Sequence, residues 1–556
     1  MIRALLAIAF AFFLWLVSTP AAIAHPIPTD CAHSRVPTTY EAPQNRAVYL
    51  AGQELAGYNM IDPDDTFFGI PRVELGPREN RLVADEPYIP PALLKAIGWV
   101  ESGTAQADHS VPWRSTGPTK ISFDCGHGIM QITSGMTSPL DGSWPSTQQA
   151  LVATHSLFNI ARGAAILVQK WNTAPEQRPV VGYGNPKIME DWYYALWSYN
   201  GFVSVNNPLN YAWPRTGYSC GPADDGFGHN RGNYPYQDLV YGCVSRPPEV
   251  NGQQLWTPLS VTLPDQDDPA FLHPLSHFPD TDEMDMPRPR PGHGDPTSQP
   301  SQGIANFLLG SPSLSVSRTA VNNVVNQVTI SNSGSAVLAW RAKSNRAWIS
   351  LDRQAGVALE PRVPCAPNEP CERSPRLTIT VNTALAPARG SGQVTIESLT
   401  TGQRVVVQVN RNVYDHFYTI SDQQRDNAIS LGYVYEREEG YVSPTSEQGL
   451  VPLYRLWNSI ISNHFYTTST WERDAATLFG YTFERVEGYV SPTSEQGLVP
   501  LYRLWNPVIT DHFYTTSTRE RDVAALFGYR YERVAAYVSP TTETGLVPLH
   551  RLFKRP

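Results

Sequence analysis

The tetrapeptide His-Phe-Tyr-Thr occurs three times, beginning at His416, His464 and His512, so the C-terminal part of the chain repeats with a period of 48 residues. In each copy a serine is followed three residues later by Gln or Glu, the pattern of a capping box at the start of a short helix. A glycine then ends the helix, and two strand-like runs follow. Such a period predicts units that bury their apolar faces against one another. The serines are Ser421, Ser469 and Ser517, the capping partners are Gln424, Glu472 and Glu520, and the glycines are Gly432, Gly480 and Gly528.

The three copies predict a closed, β-rich module with pseudo-threefold symmetry over residues 412–556. The chain enters it in mid-unit, because His416 lacks a preceding Pro-Leu-Tyr-Arg strand and Pro548–Leu552 lacks a following His-Phe-Tyr strand. Pairing of these two half-units would close the ring and remove exposed sheet edges. The repeats resemble the HFYT-type three-repeat modules found at the ends of exported bacterial enzymes. That resemblance implies a fold rather than an activity.

Each repeat also carries an arginine and a histidine at fixed positions, and two roles are open for them. They form three equivalent binding pockets, or they make hydrogen bonds inside a closed ring. The residues are Arg455, Arg503 and Arg551 with His416, His464 and His512.

Residues 305–411 alternate with period two, as in the run Leu377–Val381, and turn signals separate the short strands. This pattern predicts an Ig-like β-sandwich. The segment Arg346–Ser350 resembles the BACON carbohydrate-associated module, whose role as glycan contact or spacer stays open. Residues 264–304 are rich in Pro, Asp, Ser and His and predict an extended linker.

Residues 1–24 have the organisation of a cleavable signal peptide. Arg3 precedes an apolar run, and the small residues Ala22 and Ala24 form an A-x-A cleavage site. The protein is therefore expected to be secreted or periplasmic.

All six cysteines lie in the exported part, and none forms a CxxC pair. Disulfides are therefore expected rather than a metal site. Cys365 and Cys371 are expected to close a small loop on themselves. The other four allow three alternative pairings, of which we favour one, the pairing of Cys31 with Cys125 and of Cys220 with Cys243.

The charge balance excludes some function classes. With 42 basic and 51 acidic side chains and no basic tract, a nucleic-acid binder is not expected. Outside the N-terminus no apolar run reaches the roughly 20 residues of a membrane-spanning helix, so no transmembrane anchor is expected. No cofactor is expected, and the oligomeric state stays open.

Pro90 and Pro91 open an apolar segment that ends in Glu101-Ser102-Gly103, and this pattern predicts a helix. A carboxyl group at the end of an apolar helix is partly desolvated, which suits a general acid. The alternative is an ordinary surface Glu at a fraying helix end.

Later segments add small, amide and aromatic side chains typical of a sugar-binding groove. Gly126 and Gly128 allow close approach of the backbone to a ligand. Gln131 can hydrogen-bond a sugar N-acetyl or hydroxyl group. An aromatic helix ends in Tyr199-Asn200.

Four motifs occur in the order found in the soluble lytic transglycosylases, and the chain resembles that family over residues 85–205. The resemblance implies an α-rich, lysozyme-like N-terminal catalytic domain over residues 25–263. It implies that Glu101 is the catalytic acid and base, that Tyr199 lies near the reacting centre, and that the remaining motif residues bind substrate. The motifs are Glu101-Ser102, Gly128-Ile129-Met130-Gln131, Asn159-Ile160-x-x-Gly163 and Tyr199-Asn200; the implied substrate-binding residues are Ser102, Gly128, Met130, Gln131 and Asn200.

The spacing between Glu101 and Gly128 is longer than this family's pattern, which indicates an inserted loop over residues 103–121. Asp124 is a possible second carboxylate. If it faced Glu101 across a cleft with a water between them, the enzyme would be an inverting hydrolase. The alternative is a turn residue beside Cys125, and His127 in the same loop is expected to be a bystander.

The expected function is therefore cleavage of peptidoglycan glycan strands by an exported lytic transglycosylase, which leaves 1,6-anhydro-muramic acid ends. A hydrolytic muramidase like the goose-type lysozymes and a non-catalytic wall-binding protein are the alternatives.

Overall fold

The structure is a computed structural model, and it describes part of the chain. The two described units are each compact, one reaching residue 300 and the other comprising Gly310–Pro361 and the residues from Ser374 onward. Residues 1–24, Cys365, Cys371 and most of the predicted linker lie outside the described residues. The described ranges are 31–32, 37–76, 80–137, 145–173, 181–203, 206–207, 220, 234–263, 292–300, 310–361, 373–382, 385–386, 389–412 and 414–555.

The first unit combines six described helices with short strand pairs. The helices are α1 Ala47–Gly57, α2 Pro91–Ser102, α3 Thr147–Thr154, α4 Ser156–Thr173, α5 Tyr193–Tyr199 and α6 Tyr236–Ser245. The strands pair as β1 Thr38–Tyr40 with β4 Thr116–Pro118, β2 Glu74–Leu75 with β3 Leu82–Val83, and β5 Glu249–Val250 with β6 Gln253–Gln254.

The prediction of an α-rich, lysozyme-like N-terminal domain is wrong. The described residues are 34% strand and only 23% helix, and the helix is divided among nine short helices. Between α1 and α2, and between α2 and α3, the described residues belong to long segments rich in Pro and Gly and include no α-helix. Proline removes a backbone donor and glycine carries a high entropic cost, so such segments do not continue helices.

Residues 292–300, at the end of the predicted linker, pack against the first unit. The buried carboxylate of Glu190 accepts the backbone N–H of His293 at 2.8 Å, and one of its oxygens lies 2.6 Å from Nδ1 of that histidine. Asp295 accepts the N–H of Ala92 at 2.7 Å. Since the first N–H groups of a helix have no partner within it, Asp295 caps the start of α2.

Both favoured disulfides are confirmed. Cys31 is bonded to Cys125 with a Cα–Cα distance of 5.3 Å, and Cys220 is bonded to Cys243 with 4.9 Å. The second bond ties α6 to a segment 23 residues earlier. These bonds fit an oxidising compartment.

Across the described residues no single helix has the length and apolar character needed to cross a membrane. The helices α3 and α4 meet that test only as a pair, and they are bent by 109° where they join.

Residues 310–412 form a sandwich of two sheets. The strands are β7 Leu314–Val316, β8 Ala320–Val321, β9 Val325–Asn332, β10 Val337–Ser344, β11 Ile349–Leu351, β12 Ala355–Leu359, β13 Arg376–Val381, β14 Arg389–Ser398 and β15 Arg404–Asn412. One sheet has the strand order β12-β10-β14-β15-β8 and the other has the order β11-β13-β9-β7. Trp340 lies in the core between them, and Trp348 of the Arg346–Ser350 segment packs against the same core. The alternating burial of β13 matches its period-two sequence.

The repeats form three three-stranded sheets, each with a short helix. In every sheet a Pro-Leu strand lies between the His-Phe-Tyr-Thr strand and the long strand after the helix. The strands are β16 Asp415–Thr419, β17 Val434–Val442, β18 Val451–Asn458, β19 Asn463–Thr467, β20 Thr482–Val490, β21 Val499–Asn506, β22 Asp511–Thr515, β23 Arg530–Val538 and β24 Val547–Lys554; the helices are α7 Asp422–Ser430, α8 Thr470–Thr477 and α9 Thr518–Ala524.

The ring closes through the two half-units, as the sequence predicted. Strand β16 pairs with β24, with Asp415 opposite Lys554. The three long strands also join end to end, through bridges between Tyr441 and Ser539, Ser443 and Tyr489, and Ser491 and Tyr537.

Three tyrosines form a cyclic hydrogen-bond network on the ring axis. The hydroxyl of Tyr466 accepts the N–H of Tyr418 and donates to its carbonyl oxygen, and Tyr514 does the same for Tyr466. Tyr418 completes the cycle with Tyr514. The N–H bonds are 2.8 Å long and the hydroxyl-to-carbonyl bonds are 2.5 to 2.7 Å long.

The repeated histidines lie beside this cycle and are buried. His464 donates its backbone N–H to Asp415 at 2.7 Å, and its Nδ1 lies 2.6 Å from the other oxygen of that carboxylate. His416 makes the same pair of contacts with Asp511. In the third unit Asn463 replaces the aspartate and donates its amide to Nδ1 of His512, so the proton of this imidazole is on Nε2.

The repeated arginines belong to buried ion networks. They therefore stabilise the closed ring and do not form open binding pockets. Arg455 donates to Gln424, Glu484 and Glu487 at 2.6 to 2.8 Å. The capping serines do accept the expected backbone N–H, but the capping Gln or Glu side chains turn to these arginines. The equivalent networks join Arg503 to Glu472 and Glu532, and Arg551 to Glu436, Glu439 and Glu520.

We predict that Tyr466→Phe destabilises the ring by about 2 kcal/mol or more, because it leaves the buried N–H and carbonyl of Tyr418 without their partner. Hydrogen-exchange mass spectrometry of the β16 peptide measures this loss as faster exchange. Tyr489→Phe, whose hydroxyl lies outside the cycle, is the matched control. Equal protection in the two variants would contradict the prediction.

Candidate active site around Glu101

Glu101 lies at the C-terminal end of a core helix. Every other residue of α2 is buried, including Lys95, which is held by Glu54 at 2.5 Å. Gly103 ends the helix in the left-handed conformation, with φ of 69°. The half-buried carboxyl of Glu101 is therefore the point where this helix reaches the surface.

The loop of residues 128–131 is attached to the end of this helix. The Ser102 hydroxyl lies 2.8 Å from the carbonyl oxygen of Ile129. Asn159 on α4 accepts the Met130 N–H at 2.9 Å and donates to the His127 carbonyl at 2.7 Å. Three of the four motifs found in the sequence are joined by these buried bonds.

Two glycines are required where α4 and this loop approach each other. Gly128 has φ of 67°, and a Cβ there would lie 2.6 Å from Nδ2 of Asn159 on α4. A Cβ on Gly163 would lie 2.7 Å from the Met130 side chain. A larger residue at either position would push the loop away from α4.

The fourth motif contacts the same loop. The Tyr199 hydroxyl donates to the Met130 carbonyl at 3.0 Å. Burial raises the pKa of Tyr199 well above its ordinary value, and the charge of Glu101 raises it further. The phenol therefore remains a protonated donor at neutral pH.

Tyr236 contacts Glu101 directly, a contact that the sequence did not predict. Its hydroxyl donates to Oε1 of Glu101 at 2.7 Å, and its ring stacks on Tyr199 with an interplanar angle of 13°. It lies at the start of α6, where Asn206 accepts its N–H. The only sequence signal was an aromatic residue after Pro235, at a position typical of a helix start.

The residues expected to bind substrate divide into two groups. Ser102 and Met130 are buried, so they position the loop. Gln131 closes its own turn by donating to the Gly128 carbonyl at 2.7 Å, and it remains partly exposed. Asn200 is exposed and accepts a hydrogen bond from Asn206 at 2.6 Å.

Asp124 and His127 have local partners within their loop. Asp124 is exposed and accepts the hydroxyl of Ser122, beside the disulfide-bonded Cys125. His127 is buried with Nδ1 2.6 Å from the Cys125 carbonyl oxygen, and burial lowers its pKa to about 4. These contacts are those of a turn residue and a structural histidine.

The segment after Glu101 is anchored by a buried carboxyl group. Glu41 accepts the N–H groups of Gln106 and Ala107 at 3.0 and 2.8 Å. Burial raises its pKa to about 7, although these bonds and the charges of Arg46 and Lys120 oppose the rise. Glu41 thus fixes the start of the loop that the sequence marked as inserted.

Comparison with known proteins bears mainly on the repeats. Residues 390–491 and 479–556 match a family described as a domain of unknown function, DUF5648. No curated protein matches the chain. A solved structure, the Bacteroides ovatus GH5 xyloglucanase in complex with a XXXG heptasaccharide, is similar at 11% identity with a TM-score of 0.13. The match covers 18% of this chain and 18% of that enzyme, and a likeness this weak does not bear on the role of Glu101.

We predict that Glu41 makes the first unit less stable as the pH rises from about 4.5 to 7. Its folded-state pKa is above its ordinary value of 4.5, so the unfolded state loses this proton first and becomes relatively favoured. The difference corresponds to about 3 kcal/mol.

Peptide-resolved hydrogen exchange of α1 and α2 in urea, at pH 4.5 and pH 7.5, measures this loss. Glu41→Gln keeps an acceptor for both N–H groups and cannot ionise, so its stability should change less between the two pH values. An identical pH dependence in both proteins would contradict the assignment.

Proposed function

We propose that the chain is an exported peptidoglycan-cleaving enzyme, a lytic transglycosylase that uses Glu101 as its acid and base. The observation that carries this proposal is the Glu101 carboxyl at the exposed end of a buried helix, 2.7 Å from the Tyr236 phenol. The loop and the Tyr199-Asn200 pair that resemble those of the transglycosylases lie beside it. The peptidoglycan substrate is taken from that resemblance.

In the proposed reaction Glu101 first donates its proton to the glycosidic oxygen between N-acetylmuramic acid and N-acetylglucosamine. The bond from C1 to that oxygen breaks and the N-acetylglucosamine hydroxyl leaves. The 6-hydroxyl of the muramyl residue then bonds to C1 and returns its proton to Glu101. No water is consumed, and one carboxylate suffices because the substrate supplies the nucleophile.

The neighbouring tyrosines support this role. Tyr236 restricts the orientation of the Glu101 carboxyl through its hydrogen bond. Tyr199 holds the carbonyl of Met130 and so fixes the loop beside the acid. Exposed Asn200 and partly exposed Gln131 are the amides placed to contact sugar hydroxyl or N-acetyl groups.

The signal peptide predicted from the sequence of residues 1–24, together with the two disulfides, supports secretion or a periplasmic location. An enzyme in either location can reach peptidoglycan.

We predict that Glu101→Gln abolishes turnover of purified peptidoglycan, because the amide can neither donate nor accept the reacting proton. Mass spectrometry of the wild-type products should show 1,6-anhydro-muramic acid ends, one water lighter than reducing ends. Glu249→Gln, an exposed glutamate of the same unit, is the matched control and should stay active. Reducing ends would contradict the transglycosylase and point to a hydrolase and Asp124. No products from the wild type would favour a wall-binding protein.

We predict that Tyr236→Phe lowers kcat by about 10- to 100-fold, because its hydrogen bond strengthens as Glu101 gives up its proton, and a hydrogen bond to a charged group contributes about 1.5–3 kcal/mol. Steady-state release of soluble muropeptides measures this change. Tyr183→Phe, at an exposed tyrosine of the same unit, should leave kcat unchanged. Unchanged turnover in Tyr236→Phe would remove this residue from the reaction.

A further inference from the structure

The ring carries an exposed aromatic residue at the same position of each long strand, three residues after the helix-ending glycine. These residues are Tyr435, Phe483 and Tyr531. An aromatic side chain kept at the same exposed position in all three repeats is a candidate for an interaction site.

In the second and third repeats an arginine lies over this aromatic residue and a second ring. The Arg473 guanidinium is 4.8 Å from the Tyr454 ring centre and 6.0 Å from that of Phe483. Tyr454 meets Phe483 edge to face at 5.9 Å. The third repeat has the same arrangement, with Arg521 at 4.7 Å from Tyr502 and 5.9 Å from Tyr531, and the two rings 6.0 Å apart.

The arginine is oriented by the next residue in the chain. Nε of Arg473 donates to Asp474 at 2.7 Å, and Nε of Arg521 donates to Asp522 at 2.8 Å. About two-thirds of each aspartate side chain stays exposed, 66% and 64%. We call these two clusters the Arg–aromatic sites: Arg473, Asp474, Tyr454 and Phe483 in one, and Arg521, Asp522, Tyr502 and Tyr531 in the other.

The first repeat does not form this cluster. His550 stands where the others have Tyr454 and Tyr502, and it meets Tyr435 edge to face at 5.8 Å. Arg425 is bonded to Asp426 and also to Asp422, which lies 3.1 Å from Nε2 of His550. The ring therefore has two equivalent Arg–aromatic sites and one altered position.

We propose that the two Arg–aromatic sites bind sugar rings of a polysaccharide. The exposed face of Phe483 or Tyr531 packs against the C–H face of a pyranose, as aromatic side chains do with amphipathic partners. The arginine and aspartate offer donors and acceptors to neighbouring hydroxyl groups.

The fixed ion pair distinguishes a glycan from an apolar partner. Covering Arg473 and Asp474 with an apolar protein surface would strip water from both charges without replacing its hydrogen bonds. Sugar hydroxyl groups replace those bonds. When one polymer engages both sites of a chain, their joint affinity exceeds that of either site alone.

This proposal does not depend on cleavage by Glu101. Binding is measured with the full chain carrying Glu101→Gln, by co-sedimentation with insoluble peptidoglycan and, separately, with chitin. We expect sedimentation with at least one of these polymers. Phe483→Ala or Tyr531→Ala should weaken it by about 10- to 100-fold through loss of joint binding, and the double variant should abolish it.

Two controls are available within the ring. Tyr435→Ala at the altered position should leave binding unchanged, and Phe483→Tyr should retain it. Leu478→Ser with Leu526→Ser changes the most exposed apolar residues of the same repeats, 84% and 83% exposed, without touching the Arg–aromatic sites. All these positions are on the surface, so the variants are expected to fold.

Failure of both polymers to sediment the Glu101→Gln chain would overturn the proposal. So would loss of binding in the Leu478 and Leu526 variant with binding retained in the Phe483 and Tyr531 variant, because the surface would then be an apolar docking site. Sedimentation lost in the double aromatic variant, with no turnover by the wild type, would support the sugar sites and reject the proposed enzyme.

Discussion

The cyclic hydrogen bonds of three tyrosines are the constraint on which the repeat ring depends. Each hydroxyl uses both a donor and an acceptor function on the backbone of the preceding unit. Every member of such a cycle is paired only when the cycle is complete. Three units complete it, whereas two units would leave hydroxyl and backbone groups without partners. A buried polar network of this type rigidifies a core when every member is satisfied. The His-Phe-Tyr-Thr strands are consequently buried along their whole length.

Departures from threefold symmetry around this cycle are compensated locally. Arg455 faces Gln424 where the other units have a glutamate, and Ala535 stands where Glu487 and Glu439 stand in the other two. Only Arg551 faces three carboxylates. There Arg437 makes bonds of 3.0 and 2.8 Å to Glu439 and Glu520, whereas its counterparts form ion pairs of 3.6 and 3.3 Å. Buried carboxylates need matching cations. The third carboxylate beside Arg551 is matched by the closer bonds of Arg437.

The repeat ring and the sandwich could be predicted because their signals are local or periodic. A period of 48 residues and the alternation in β13 each specify an element without reference to distant residues. The first unit was misread because four short motifs in the right order do not determine the long irregular segments between them. In the candidate site, the position of Glu101 at a helix end followed from the sequence. Its contact with Tyr236 did not, because the two residues are 135 positions apart and no pattern connects them.

Closure of the ring by β16 and β24 also has a consequence for how the protein is made. The first His-Phe-Tyr-Thr strand leaves the ribosome, and in an exported protein the translocation channel, long before its partner β24. Pairing over so large a sequence separation is slow to form. Until β24 has been synthesised, the edge of β16 that pairs with it is free. The hydrogen bonds between Tyr418 and Tyr514 can form in that period only if the units are already held together. The sheets of the second and third units are each made from consecutive strands, so these units are free to form during synthesis. The first unit and the axial tyrosine cycle are completed only after residue 554 has emerged.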